Sequence, residues 1–130
     1  MRPSREVEEF VSTFIADETV KARVIHVFSA LPEEIQQHFL RDPGFSIGMP
    51  DWGTRALIGS PQGSHGSRLV LLKSSLRHRS RAFALYVIAH ELAHAFLRNR
   101  GRSPEEDPEI AADSIAAEWG FPRPSPLPLL

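Results

Sequence analysis

The sequence predicts one α+β domain, with helices in the N-terminal third, a small β-hairpin or sheet in the middle, and two longer helices after it. Apolar residues recur at helical spacing before residue 40 and after residue 80, whereas six of the eight glycines lie between residues 44 and 75. A chain of 130 residues with 42% hydrophobic residues has enough apolar surface for a single core. We expect residues 1–121 to form this domain and residues 122–130, which contain four prolines, to form an extended tail.

Three helices are predicted in the N-terminal third. Within Arg5–Ile15, apolar residues follow the i, i+3, i+4, i+7 spacing of an amphipathic helix, and a second such run extends from Val20 to Leu31. Pro32 suits the first position of a short third helix, which we expect to end before Asp42 and the Pro-Gly pair that follows it.

The glycine-rich middle of the chain predicts two strands. Arg55–Ile58 and Arg68–Lys73 are short runs with strand character, and the Gly59–Ser67 segment between them contains glycines and a proline. We therefore expect a β-hairpin with an exposed connection.

Two helices are predicted in the C-terminal part of the domain. The first covers Ser80–Arg98, and the second covers Pro108–Trp119 and is stopped by Gly120 and the proline two residues later. The segment Ser103–Glu106 has the pattern of a capping box, which indicates that Glu105–Asp107 serve a helix start.

Composition excludes several classes of function. A chain without cysteine has no disulfide, thiolate zinc site or cysteine nucleophile, and a net charge of -1 gives no general attraction to nucleic acid or to an anionic membrane. Met1–Ala16 lacks the pattern of a secretory signal, and Ala82–Leu97 falls short of the roughly 20 residues of a membrane span. We expect a cytoplasmic protein without nucleic-acid or membrane partners, in which the basic Arg77–Arg81 cluster is solvated surface.

The sequence His90-Glu91-Leu92-Ala93-His94 matches the His-Glu-x-x-His pattern. Residues four apart lie on one face of a helix, so both imidazoles can bind the same cation. Glu91 lies about 100° round the helix from His90, which is the position of a general base beside the metal. The structural alternative is a pair of core histidines whose ring N–H groups bind backbone carbonyls.

A catalytic zinc site needs a third protein ligand, and no histidine follows His94. Among the downstream acids, Glu109 and Asp113 combine i, i+4 spacing with small neighbours that allow close packing against the His90 helix. We assign Glu109 as the third ligand of a zinc ion (Zn2+) and Asp113 as the carboxylate that accepts the free ring N–H of His90. The exchanged assignment, with Asp113 as the ligand, stays open.

The paired motif, His90-Glu91-x-x-His94 followed by Glu109-x-x-Ala112-Asp113, resembles the gluzincin metallopeptidases. Over about Arg68 to Pro122, the chain is most similar to the ImmA/IrrE-type metallopeptidases. This resemblance implies a zincin-like fold and zinc-dependent hydrolysis of a peptide bond, with Glu91 as the general base. It also implies a peptide or protein substrate, for which a repressor-like regulator is the specific candidate.

A second function remains open at this point. The same zinc can tie the two helices together in a catalytically idle binding module that recognises a protein or DNA-regulatory partner. A structural zinc site has four protein ligands, and His78 or Glu118 is the candidate for the fourth. If the site is catalytic, Tyr86, His65 and His78 are candidates for stabilising the oxyanion, although Tyr86 also suits the core and the two histidines suit solvated loops.

Overall fold

The computed structural model describes residues 4–49, 68–97 and 105–124, and within these ranges the chain is an α+β protein, as predicted. It has five helices, a short 3₁₀ turn at Ser74–Arg77 and a two-stranded parallel sheet. In chain order, the elements are α1 (Arg5–Phe14), α2 (Glu18–Ala30), α3 (Glu33–Leu40), β1 (Phe45–Gly48), β2 (Arg68–Leu71), α4 (Arg81–Leu97) and α5 (Pro108–Glu118).

The three N-terminal helices lie where the apolar spacing predicts them, and a side-chain cap marks the N-terminus of α1 and of α2. The hydroxyl of Ser4 accepts a hydrogen bond from the Val7 amide at 3.1 Å, and the Asp17 carboxylate accepts one from the Val20 amide at 2.9 Å. α3 starts one residue later than predicted. Pro32 has an extended backbone and is the N-cap, and Glu33 is the first helical residue.

The sheet differs from the prediction in one strand. β1, which the sequence analysis did not identify, pairs in parallel with β2 in a register that runs from Phe45 opposite Arg68 to Gly48 opposite Leu71. The other predicted strand, Arg55–Ile58, lies outside the described residues, so the hairpin stays a prediction.

The core is built mainly from the apolar faces of α1, α2, α4 and the sheet. The apolar face of α4 is buried: Leu85, Ile88, Ala89 and Leu92 are each 8% exposed or less. Burying this face turns the opposite side of α4, which carries the histidines, towards α5. In the described ranges, no helix combines the length and apolarity required to cross a membrane.

The beginning of α4 is held by α2. A guanidinium nitrogen of Arg23 donates to the backbone carbonyls of Leu76 and Arg79, the latter at 2.9 Å. The Arg77 guanidinium lies 3.2 Å from the carboxylate of Asp17, the residue that caps α2. The Arg77 side chain and the Arg79 carbonyl of the predicted basic cluster therefore contact α2 shortly before α4 begins.

α5 starts at Pro108, as predicted, but its cap is not the predicted capping box. The helix begins at Pro108, and its N-cap is Asp107, whose carboxylate accepts a hydrogen bond from the Glu109 amide at 2.7 Å. Glu105 and Glu106 lie before the helix, and the first two residues of the predicted box lie outside the described residues. The short Asx contact at Asp107, followed by proline, favours a start at that position.

Gly120 stops α5 just after its last helical residue, Glu118, as predicted. The Gly120 amide donates to Ala117 at 3.0 Å and the Phe121 amide donates to Ala116 at 2.9 Å, which is the hydrogen-bond pattern of a Schellman motif. Gly120 has φ 100°, a left-handed conformation that residues with a Cβ adopt only with strain.

Asp17 gives the fold a pH dependence that can be measured. The hydrogen bond from the Val20 amide lowers the pKa of Asp17, burial opposes it and Arg77 lowers the pKa further, so that the net shift is downward. Its stabilising effect is therefore complete above its unfolded value of 3.8 and is lost as pH falls through the lower folded pKa.

We expect Asp17→Ala to lower the free energy of unfolding at pH 7 by about 1–2 kcal/mol, because α2 loses its cap. Asp17→Asn keeps a capping oxygen and loses the charge, and should cost less than about 1 kcal/mol. Urea unfolding between pH 7 and pH 3 should show the difference between wild type and Asp17→Asn shrinking as pH falls. A difference that stays constant over this range contradicts the assignment.

Candidate metal centre

His90 and His94 lie one turn apart on α4 and face the same point in space. Their ring centroids are 4.6 Å apart with the planes at 83°, and their Nε2 atoms are 3.1 Å apart. The two side chains are only 12% and 11% exposed. The predicted i, i+4 geometry is therefore present, and the rings meet edge to face at the side of the helix that contacts α5.

Glu109 brings a carboxylate from the first turn of α5 to the same point. Its Oε1 lies 3.0 Å from Nε2 of His90, and its Oε2 lies 2.8 Å from Nε2 of His94. The Glu109 side chain is 70% exposed, so this edge of the cluster is open to solvent. Within the described residues, His90, His94 and Glu109 form the group whose ligand atoms, all within 4.8 Å of one another, can hold a metal ion.

Asp113 lies one turn further along α5 and contacts the other side of the His90 ring. Its Oδ1 is 2.7 Å from Nδ1 of His90. A carboxylate at this position accepts a hydrogen bond from Nδ1, so Asp113 orients the His90 ring with Nε2 directed at Glu109 and His94. Glu109 thus faces Nε2 of both histidines, and Asp113 faces Nδ1 of His90.

The charges at the meeting point favour a cation. Nε2 of His90 lies 3.0 Å from one carboxylate oxygen of Glu109, and Nε2 of His94 lies 2.8 Å from the other. A proton or a metal ion between these nitrogens and the carboxylate makes such distances favourable. Tetrahedral zinc with bonds of about 2.0–2.1 Å separates its ligand atoms by about 3.3 Å. The separations of 2.8 to 3.1 Å are close to that value, so the three side chains fit zinc after shifts of a few tenths of an ångström.

The other ring nitrogen of His94 is left without a partner. Nδ1 of His94 is buried and has no hydrogen-bond partner in the part of the chain that the structure describes. The proposed structural alternative, core histidines bound to backbone carbonyls, requires such a bond at both rings. His94 shows no such bond within the described residues, and its Nε2 faces His90 and Glu109. Metal-binding histidines usually donate their other ring N–H as well, so the unpartnered Nδ1 counts against the structural alternative but does not by itself mark His94 as a ligand.

Tyr86 joins the cluster, which the sequence analysis did not foresee. Its hydroxyl donates a hydrogen bond to Oδ1 of Asp113 at 2.7 Å. Burial raises the pKa of the Tyr86 phenol above its ordinary value, and the hydrogen bond to Asp113 raises it further, so the phenol stays a donor at neutral pH. Its position one turn before His90, on the same face of α4, was the available sequence signal.

The remaining candidates lie elsewhere or outside the described residues. Glu91 is half-buried on α4 next to His90, and its carboxylate has no hydrogen bond or ion pair with the described residues. His78 is exposed and accepts a hydrogen bond from Arg77 at 3.1 Å. His65 lies outside the described residues. Neither His78 nor Glu118 belongs to the metal-ligand group found in the described ranges.

Comparison with known proteins identifies no relative: no family model matches the chain, and neither a curated protein nor a solved structure is significantly similar to it. Function is therefore inferred from the chemistry of the site.

Removing one predicted ligand should remove the metal. We expect the purified protein to hold about one zinc per chain, and His94→Ala and Glu109→Ala to lose it after dialysis against a weak chelator, as measured by elemental analysis. Glu105→Ala, which removes an exposed acid shortly before α5, is the matched control and should keep the metal. Equal zinc content in all four proteins would show that the ion lies elsewhere.

Proposed function

We propose that the chain is a zinc-dependent peptidase. The observation that carries the proposal is the convergence of two imidazoles of α4 and one carboxylate of α5 on a single point, with a second carboxylate fixing the ring of His90. Two histidines and a glutamate suit zinc among the common ions, and three protein ligands leave a fourth position for water or substrate.

The exposure of Glu109 supports a catalytic site over a structural one. A structural zinc is usually enclosed by four protein ligands, whereas the group in the described residues has three, and one of them is 70% exposed. Water and a substrate can therefore reach the ligand atoms from the side of α5. The binding module with an idle zinc remains the competing function.

Zinc bound to these ligands would supply Lewis acidity, which polarises a peptide carbonyl and makes water acidic enough to attack near neutral pH. Glu91 then removes a proton from the attacking water as the water oxygen bonds to the carbonyl carbon. The same carboxyl returns the proton to the amide nitrogen as the carbon–nitrogen bond breaks. The products are a carboxylic acid and an amine, and no covalent intermediate with the protein forms.

Two features of Glu91 suit the role of general base: its position next to His90 and a carboxylate without a partner among the described residues. It follows His90 directly on α4, so its side chain projects about 100° round the helix axis from that ligand. Its carboxylate is not tied to another described side chain, and it is half-buried. A half-buried carboxylate beside a cation can accept a proton and return it within one catalytic cycle.

The wider assignment follows the resemblance in the sequence. The paired motif resembles those of the gluzincins, and the spacing over about Arg68 to Pro122 resembles that of the ImmA/IrrE-type metallopeptidases. We accordingly propose a zincin-like arrangement, a cytoplasmic location and a peptide or protein substrate, with a repressor-like regulator as the candidate. A protease of such narrow specificity would leave generic substrates such as casein uncut.

The substitution Glu91→Gln tests the mechanism. It keeps the size of the side chain and removes the base, so we expect turnover of a cleaved peptide to fall by at least about 100-fold. Zinc content should stay at the wild-type level, because Glu91 is not a ligand. A peptide library analysed by mass spectrometry supplies the substrate, and initial rates supply the measurement.

The control for Glu91→Gln is Glu118→Gln, which changes an exposed carboxylate near the other end of α5. It should leave the rate unchanged. Full activity of Glu91→Gln would remove the assigned base. Wild-type protein that binds zinc through four protein ligands and cleaves no member of the library would favour the binding module.

A further inference from the structure

Tyr86, Asp113 and His90 meet at a single oxygen atom. Oδ1 of Asp113 accepts the hydroxyl of Tyr86 at 2.7 Å and lies 2.7 Å from Nδ1 of His90. The two donors come from successive turns of α4, and the acceptor comes from α5. This oxygen therefore links the two helices next to the candidate metal ligands.

The hydroxyl of Tyr86 has no other described role. The Tyr86 residue is 9% exposed, and its ring lies against Phe83 and His90, with centroid distances of 6.4 and 5.7 Å. A phenylalanine would fill the same space, so packing alone does not explain the hydroxyl. A buried hydroxyl without a partner is costly, and here the partner is the Asp113 carboxylate.

The tyrosine restricts a carboxylate that would otherwise rotate. Asp113 is 30% exposed, so water can compete for its oxygens. A tyrosine fixed by packing has few accessible rotamers, and a hydrogen bond to a charged acceptor is stronger than one between neutral groups. With Oδ1 held from one side by Tyr86, the direction of the hydrogen bond to His90 is also held.

We propose that Tyr86 is a positioning residue of the metal centre: its hydroxyl fixes Asp113, and Asp113 holds the His90 ring with Nε2 directed at the point shared with His94 and Glu109. The inference rests on the proposed metal centre and extends it to a residue that touches neither metal nor substrate. It also removes Tyr86 from the oxyanion candidates, because its proton is already donated to Asp113.

The first test is the affinity for Zn2+, measured by competition with a chromophoric chelator. Tyr86→Phe should bind zinc about threefold to tenfold more weakly than wild type. Asp113→Ala, which removes the direct partner of His90, should bind roughly 10-fold to 100-fold more weakly. Because Tyr86 acts through Asp113, the double variant should bind no more weakly than Asp113→Ala alone.

Phe83→Leu is the packing control, since it alters a buried ring one turn earlier on α4 without touching the hydrogen bonds. It should leave zinc affinity unchanged, even where it lowers the melting temperature. Unchanged zinc affinity in Tyr86→Phe, or losses that add fully in the double variant, would overturn the proposal.

A second readout uses the metal-free protein and does not depend on activity. In wild type, NMR of ¹⁵N-histidine-labelled protein should show the His90 Nδ1 proton in slow exchange with solvent, because Asp113 accepts it. The exchange should be at least about threefold faster in Tyr86→Phe and unaltered in Phe83→Leu. Equal exchange in wild type and Tyr86→Phe would overturn the positioning role.

The two tests separate this inference from the proposed function. A wild-type protein that fails to bind zinc contradicts the peptidase proposal, while the exchange of the His90 proton still decides whether Tyr86 restrains Asp113. Conversely, normal zinc binding and peptide cleavage in both wild type and Tyr86→Phe leave the peptidase intact and exclude the positioning role.

Discussion

The site depends on the contact between α4 and α5. Small side chains line this contact, and Ala93, Ala112 and Ile115 form a buried cluster there. Alanines let two helices approach closely, so the short carboxylates of α5 can reach the histidines of α4. A larger residue at either alanine would separate the helices and with them the ligand atoms.

This contact also brings together groups that can share a cation. The hydrogen bond to Asp113 directs Nε2 of His90 at the carboxylate of Glu109, which also faces Nε2 of His94. A proton or a metal ion between these nitrogens and the carboxylate makes the arrangement favourable. The core buries the opposite face of α4 and so holds the histidines in place.

Local patterns were sufficient to predict the helices and to select His90, His94 and Glu109 as members of the site. Helical spacing, the glycine at the end of α5 and the i, i+4 pairs all depend on neighbours within a few residues. Contacts between distant segments were predictable only where a motif marked both partners, as for His90 and Asp113. β1 has four residues, too few to show a clear alternation, and its partner is 23 residues away at Arg68. Likewise, the link from Tyr86 to Asp113 spans 27 residues and depends on how α4 and α5 pack.

The most direct test of the account is X-ray absorption spectroscopy of the zinc-loaded protein, compared with its Glu109→Ala variant. The account predicts two imidazole nitrogens and one carboxylate oxygen at about 2.0–2.1 Å, with a fourth light atom that exchanges with solvent. The variant should lose the carboxylate contribution if it retains any metal. A zinc ion bound by four protein ligands would contradict an open catalytic site, and one bound without imidazole would contradict the metal centre itself.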